Sequence, residues 1–241
     1  MKLAIEGAYL LQQVIYVQVI NGPAFRRCEL SNCCKTDMTV GKLTLAVIQN
    51  TTMQTNILWT GREYYSLENC LVNTLDTGSE INSTIIGRYD GKIYRVEYQI
   101  KVNPNWETVL LDVKTQHSDL RDHLILESDG KGNWILNRKK ADQFKDCIDI
   151  DIPLTPFTNT LPVNRLNMDT NDLRQIKVIY VDLLERQIKP LHQKYTRLSD
   201  TDYLYENVPN DFEAKIEVDE LGFVVDYPAL FIRTAILKTN Y

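Results

Sequence analysis

Two aspartates and an arginine offer the clearest chemistry in this 241-residue chain. Asp149 and Asp151 alternate with Ile148, Ile150 and Ile152. In an extended backbone both carboxylates leave one face, with Cys147, and the three isoleucines leave the other. Two like charges on one face repel, so a cation such as Arg165 or a hydrogen-bond network is expected beside them. Between them and Arg165 lie Thr155, Thr158 and Asn159, short side chains suited to turns and caps. One reading of the group is a polar site: a carboxylate serves as general base or hydroxyl acceptor and the guanidinium holds an anionic group. The other is a strand, a proline-rich corner and a short helix whose carboxylates are solvated. A metal-holding D-x-D pair is a third reading, but three residues are not specific and no Rossmann-like context surrounds them.

The elements that position these groups follow from local pattern. Pro153 ends the strand because it has no N–H to give. Thr158 or Asn159 is expected to N-cap a helix running through Leu166, with Pro162 in its first turn. The surrounding chain reads as β. Tyr94, Val96, Tyr98, Ile100 and Val102 alternate with Arg95, Glu97, Gln99 and Lys101, and Asp90-Gly91 before them is hairpin chemistry. Phe212, Ala214, Ile216 and Val218 alternate with Glu213, Lys215, Glu217 and Asp219 in the same way. Further strands are expected at Ile57–Tyr65, Trp106–Val113, His123–Glu127, Trp134–Leu136, Gln175–Leu183, Tyr203–Tyr205, Phe223–Val225 and Leu230–Ile236. Lys139–Lys145 reads as a helical turn. No window after Asn56 sustains a 3.6-residue period, and no βαβ alternation is apparent, so the pattern predicts an antiparallel roll, barrel or sandwich.

Composition narrows the function classes. A formal charge of −5 argues against a general nucleic-acid binder. Five cysteines cannot all pair within one chain, which suits free thiols in a reducing, cytoplasmic setting. No H-E-x-x-H helix, P-loop or G-x-S-x-G elbow occurs, so no metal or cofactor is expected. The 13 tyrosines suit an amphipathic cavity wall, since each joins an apolar ring to a hydroxyl.

The run Asp151-Ile-Pro-Leu-Thr-Pro-Phe-Thr-Asn-Thr-Leu-Pro-Val-Asn-Arg-Leu166 resembles the signature of the bacterial family named putative glycolipid-binding proteins. The likeness continues through Gln193-Lys-Tyr195, Phe212–Asp219 and Gly222–Phe231, and upstream takes in Trp59, Gly87, Tyr94–Val102, Trp106 and Trp134. It implies a mainly β fold: an antiparallel spiral β-roll, or half-barrel, wrapped around one short helix and similar to lipoprotein-localisation carriers. It also implies a non-enzymatic binding protein that holds a glycolipid or other amphiphile in the concave face of a curved sheet, and a homodimer. On that reading Arg165, Asn159, Thr158, Asp149, Asp151 and Tyr227 are the ligand-binding residues. The alternative is an enzyme acting on a small polar or sugar-like substrate, with Asp149, Asp151 and Arg165 in the site.

Residues 1–52 do not share the likeness. Ala4–Ile20 is interrupted by Glu6, Gln12, Gln13 and Gln18, too polar for a transmembrane helix, and no clear signal-peptide cleavage site follows. Cys28, Cys33 and Cys34 lack zinc-site spacing. The division expected is therefore an N-terminal extension, 1–52, and one β-roll domain, 53–241. A chain beginning at Met53 is expected to melt as cooperatively as the whole, and loss of that transition on truncation would place the first 52 residues in the domain.

Overall fold

The computed structural model describes residues 53–240. The 1–52 extension, its three cysteines and the expectation that it is dispensable lie outside the described residues.

Two meanders make up the sheet. The first holds β1 (Met53–Gly61), β2 (Ser66–Leu75), β3 (Gly78–Tyr89), β4 (Lys92–Val102), β5 (Thr108–His117), β6 (Leu120–Ser128), β7 (Trp134–Leu136) and β8 (Lys139–Lys140). After a single 3-10 turn at Asp142–Phe144 come β9 (Asp149–Asp151) and the helix α1 (Phe157–Leu166). The second meander is β10 (Leu173–Asp182), β11 (Gln187–Arg197), β12 (Asp202–Val208), β13 (Glu213–Val218), β14 (Val224–Tyr227) and β15 (Phe231–Asn240). Pairing of β1 with β15 fuses the two into one 15-stranded sheet whose edges are β8 and β9.

That connectivity forces the sheet to roll. Laid flat, fifteen strands about 4.8 Å apart would hold the edges roughly 67 Å from each other. Residues 141–148 join those edges directly, and a connection that short spans at most roughly 30 Å. Curvature therefore follows from chain length as well as from strand twist. The concave side is filled by α1, whose residues Phe157 to Val163 are all buried. Phe157 and Leu161, one turn apart, pack with Trp59, Ile85 and Phe223 in one core. Val163 packs with Ile216, Val224 and Phe231 in a second.

The expected faces of the two clearest strands hold. Tyr94, Val96, Tyr98, Ile100 and Val102 are buried while Arg95 and Glu97 are exposed, and Ile216 and Val218 are buried beside exposed Lys215, but Phe212 is exposed and precedes β13. Asp90 and Gly91 form a two-residue turn at φ 47° and 72°, as the sequence predicts.

Other expectations are corrected. Tyr64 and Tyr65 lie in the β1–β2 turn, not in the strand, and Trp106 precedes β5 at φ 61°. Lys139–Lys145 divides between an edge strand and the 3-10 turn. β11 is not expected from the sequence, because Pro190 and the charged residues around it break the alternation. The sheet also contains one parallel pair: β9 and β10 run alongside with α1 as their crossover, a βαβ unit inside an otherwise antiparallel sheet. Single-strand patterns do not report strand direction, and the proline corner conceals the unit.

Among the described residues no helix is long and apolar enough to cross a membrane. Ile216 is fully buried, so Ile216→Ala is expected to cost about 2–5 kcal/mol in urea unfolding. A loss below about 0.5 kcal/mol, the usual range of a surface change, would show that its face is wrongly assigned.

Candidate functional site

The corner between β9 and α1 is built from its hydroxyls. Thr155 Oγ1 accepts the Phe157 N–H at 3.0 Å and so satisfies a donor of the first helical turn. The helix begins one residue before the expected cap, and Pro156 occupies the cap position. Thr158 therefore bonds elsewhere. Its hydroxyl accepts the Ile152 N–H at 3.3 Å and donates to Asp151 Oδ1 at 3.2 Å. Asn159 accepts the Tyr195 hydroxyl at 2.9 Å and donates to Pro156 O at 3.4 Å. Pro162 falls beyond the first turn, where its missing N–H leaves one helical bond unmade.

Arg165, in the last turn of α1, reaches back to β9 and grips Asp149 with both arms. Nε donates to Oδ1 at 3.0 Å and Nη2 to Oδ2 at 2.6 Å. Asp149 is fully buried and the Arg165 side chain is 18% exposed. Burial pushes the Asp149 carboxyl up while the guanidinium pulls it back, and Arg165 is itself raised by the pair. The bidentate geometry favours the charged form of both groups. Removing Arg165 would leave a buried carboxylate without a counter-charge, at about 3–5 kcal/mol. Asp151 has separate partners: besides Thr158, Gln193 Nε2 donates to its Oδ2 at 2.8 Å and to the Tyr205 hydroxyl at 2.9 Å. The two carboxylates thus share a face, as the alternation predicts, and each is satisfied by a different group. Tyr227 sits apart in an aromatic cluster, with ring centroids 6.2–6.3 Å from Phe231, Phe212 and Tyr205.

A third carboxylate is not legible in the sequence. Glu68, in β2, is 2% exposed. Its Oε1 accepts three hydroxyls: Ser83 Oγ at 2.7 Å, Tyr98 Oη at 2.7 Å and Thr155 Oγ1 at 2.9 Å. Oε2 has no hydrogen-bond partner, and no cation pairs with Glu68 among the described residues. Desolvation outweighs the three donors and pushes the carboxyl from 4.5 up to about 7. Neighbouring Cys70 is buried, and burial holds its thiol well above the ordinary range, so it packs rather than reacts. The pattern of β2 itself hides Glu68. Ser66, Glu68, Cys70 and Val72 point inward while Leu67, Asn69 and Leu71 point outward, the reverse of what hydrophobicity suggests.

Open space lies elsewhere. A cleft of about 250 Å³ opens where β5 and β6 meet the turn between β10 and β11. Val113, Leu124, Val181, Leu183 and Ile188 form its floor and belong to, or pack on, the first core. Asp122, His123, Asn137, Arg186 and Gln187 form its rim. Arg186 Nη2 donates to Asp122 Oδ1 at 2.6 Å and so ties the two halves of the sheet across the cleft. Shallower hollows of about 440 and 480 Å³ lie over polar residues of β2–β6, and one of about 640 Å³ borders the β7–β8 edge. None of these four is lined by Asp149, Asp151, Thr158, Asn159, Arg165 or Tyr227.

The Glu68 geometry has a consequence for stability. Its carboxyl holds a proton in the fold that the unfolded chain releases near pH 4.5, so the fold is favoured at low pH and loses that advantage as pH rises towards about 7. A shift of that size corresponds to about 3 kcal/mol. Urea unfolding at pH 5 and pH 8 should show the wild type losing about 2.5 kcal/mol more than Glu68→Gln, since the unfolded carboxyl is already mostly ionised at pH 5. Equal losses in both proteins would show that Glu68 does not titrate in this range.

A solved structure shares the fold. A crystal structure of a DUF1089 family protein from Pseudomonas aeruginosa is 26% identical, with a TM-score of 0.63, over 82% of this chain and all of that one. A β-barrel-like protein of the DUF1849 domain of unknown function from Brucella abortus is 8% identical, with a TM-score of 0.47, over 80% of this chain and 98% of that one. No curated protein matches the chain. The model of the family described as "Putative glycolipid-binding" matches residues 56–233, and the chain belongs to that family.

Proposed function

We propose that this protein binds an amphiphile of the glycolipid kind, with the apolar part in the cleft between β5–β6 and the β10–β11 turn and the polar head on its rim. The observation that carries the reading is the joining of two surfaces in one cleft. Its floor is a continuation of the hydrophobic core, and its rim supplies a guanidinium, a carboxylate, an imidazole and two amides. A cleft with an apolar interior and a few convergent polar groups suits a ligand that is itself divided in this way. The family description supports the same ligand class.

The polar corner supports the cleft from behind in this reading. Asp149 and Arg165 pin α1 to β9, Asp151, Thr158 and Gln193 join the helix to β11, and Asn159 meets Tyr195 of the same strand. The enzymatic alternative requires Asp149 or Asp151 to act as a base on a substrate. Both oxygens of each carboxylate are already engaged within the chain, which favours a scaffolding role for the pair.

Alkyl glucosides of increasing chain length test the proposal. Each methylene that enters the cleft should tighten binding about fourfold until the cleft is full. Ile188→Trp, which places bulk on the cleft floor, should weaken the longer homologues and leave the melt near that of wild type. Affinity independent of chain length, or unchanged by Ile188→Trp, would remove the cleft as the ligand site. Native mass spectrometry of protein taken from cells identifies the resident molecule.

A further inference from the structure

We propose that the hairpin tips beside the cleft form a docking surface for a zwitterionic phospholipid bilayer. This rests on the amphiphile reading for its purpose but not for its geometry. Antiparallel pairing brings the turns at 62–65, 90–91 and 118–119 to the same end of the sheet. Large apolar side chains stand in solvent there: Tyr65 and Ile93 are 70% exposed, Ile86 56%, Leu120 54% and Leu67 51%. Leu67 and Ile86 are direct cross-strand partners.

The tips are joined into one rim. The Arg88 N–H and the Tyr94 hydroxyl both donate to Tyr64 O at 3.3 Å, which couples the first turn to the second. The Ser118 N–H donates to Ile93 O at 3.2 Å, which couples the second to the third. Arg88 lies over the Tyr65 ring at 5.4 Å. A Cβ at Gly87 would fall 2.5 Å from the Tyr94 hydroxyl, so glycine there lets the tyrosine cross its neighbour strand and hold the rim. Leu120 is two residues from Asp122, whose carboxylate meets Arg186 at the cleft mouth.

Charge and area choose the occupant. Arg88, Lys92 and Arg121 stand at this rim among Glu63, Asp90 and Asp119, and Arg62 of the first turn pairs with Asp226, so the two signs balance. A zwitterionic head-group layer, which carries both signs, complements that arrangement better than an anionic one. Leu67, Ile86 and Ile93 leave the outer face of the sheet and Leu120, in step with buried Leu126, the inner one, so the apolar side chains flank the tips on both sides. The five expose on the order of 500 Å² together, within the range of a functional patch but short of the ~800 Å² per partner of a stable protein interface. Tyrosine and arginine beside aliphatic tips suit the bilayer interface, where an apolar body enters and a polar end stays wet.

Co-sedimentation with phosphatidylcholine vesicles tests this directly. The wild type should bind, with little change between low and high salt. Ile86→Asp and Ile93→Asp should each weaken binding about tenfold or more and leave the melt unchanged, since both positions are exposed. Binding that requires anionic lipid and is abolished by salt would overturn the proposal, as would no binding at all. A solution dimer that the same substitutions dissociate would also overturn it and assign the surface to a second copy of this chain. Ile188→Trp should still sediment with vesicles, which separates failure of the cleft from failure of the docking surface.

Discussion

The fold depends on holding a helix inside a sheet that chain connectivity has already compelled to curl. The Asp149–Arg165 pair does this at one end of α1, with a fully buried carboxylate and two short charge-assisted bonds. Such a pair is not a large net source of stability, because desolvating both ions consumes most of their attraction. Its contribution is to specificity. Arginine offers a planar fork that fits one carboxylate in one orientation, and this sets the angle between α1 and β9.

At the other end of the helix a different solution serves the same purpose. Thr155 enters the Glu68 cluster, which belongs to β2, β3 and β4, and at the same time receives the first free N–H of α1. The helix is thus tied to β9 by an ion pair, to the second meander through Tyr195 and Gln193 of β11, and to the first by the Glu68 carboxyl. A buried acid with three hydroxyl donors and no cation is a costly arrangement above neutrality. The cleft lies between the two halves that these contacts connect.

These anchors give the cleft and the rim a common basis. The cleft exists because β5–β6 and the β10–β11 turn are brought close without fully packing, and the Arg186–Asp122 contact spans the rim between them. Exposed apolar tips at the same end of the strands make a surface through which an amphiphile and a bilayer would meet the same part of the molecule.

Much of the fold is legible in residue order. Alternation in Tyr94–Val102 and Ala214–Val218 marks strands and their two faces, Asp90-Gly91 marks a tight hairpin, and the prolines mark the corner before α1. The need for a cation or a hydrogen-bond network near Asp149 and Asp151 follows from their shared face alone. Tertiary structure decided the rest. Period two says which residues share a face but not which face is inward, so β2 could bury Glu68 and expose Leu67 against hydrophobic expectation. A strand pattern carries no direction, so the parallel β9–β10 pair and the crossover role of α1 were hidden. Arg186 and Asp122 lie far apart in the chain, and only the roll of the sheet brings them to one rim. Local chemistry is written in neighbouring residues, whereas burial, strand direction and the meeting of distant charges are properties of the closed sheet.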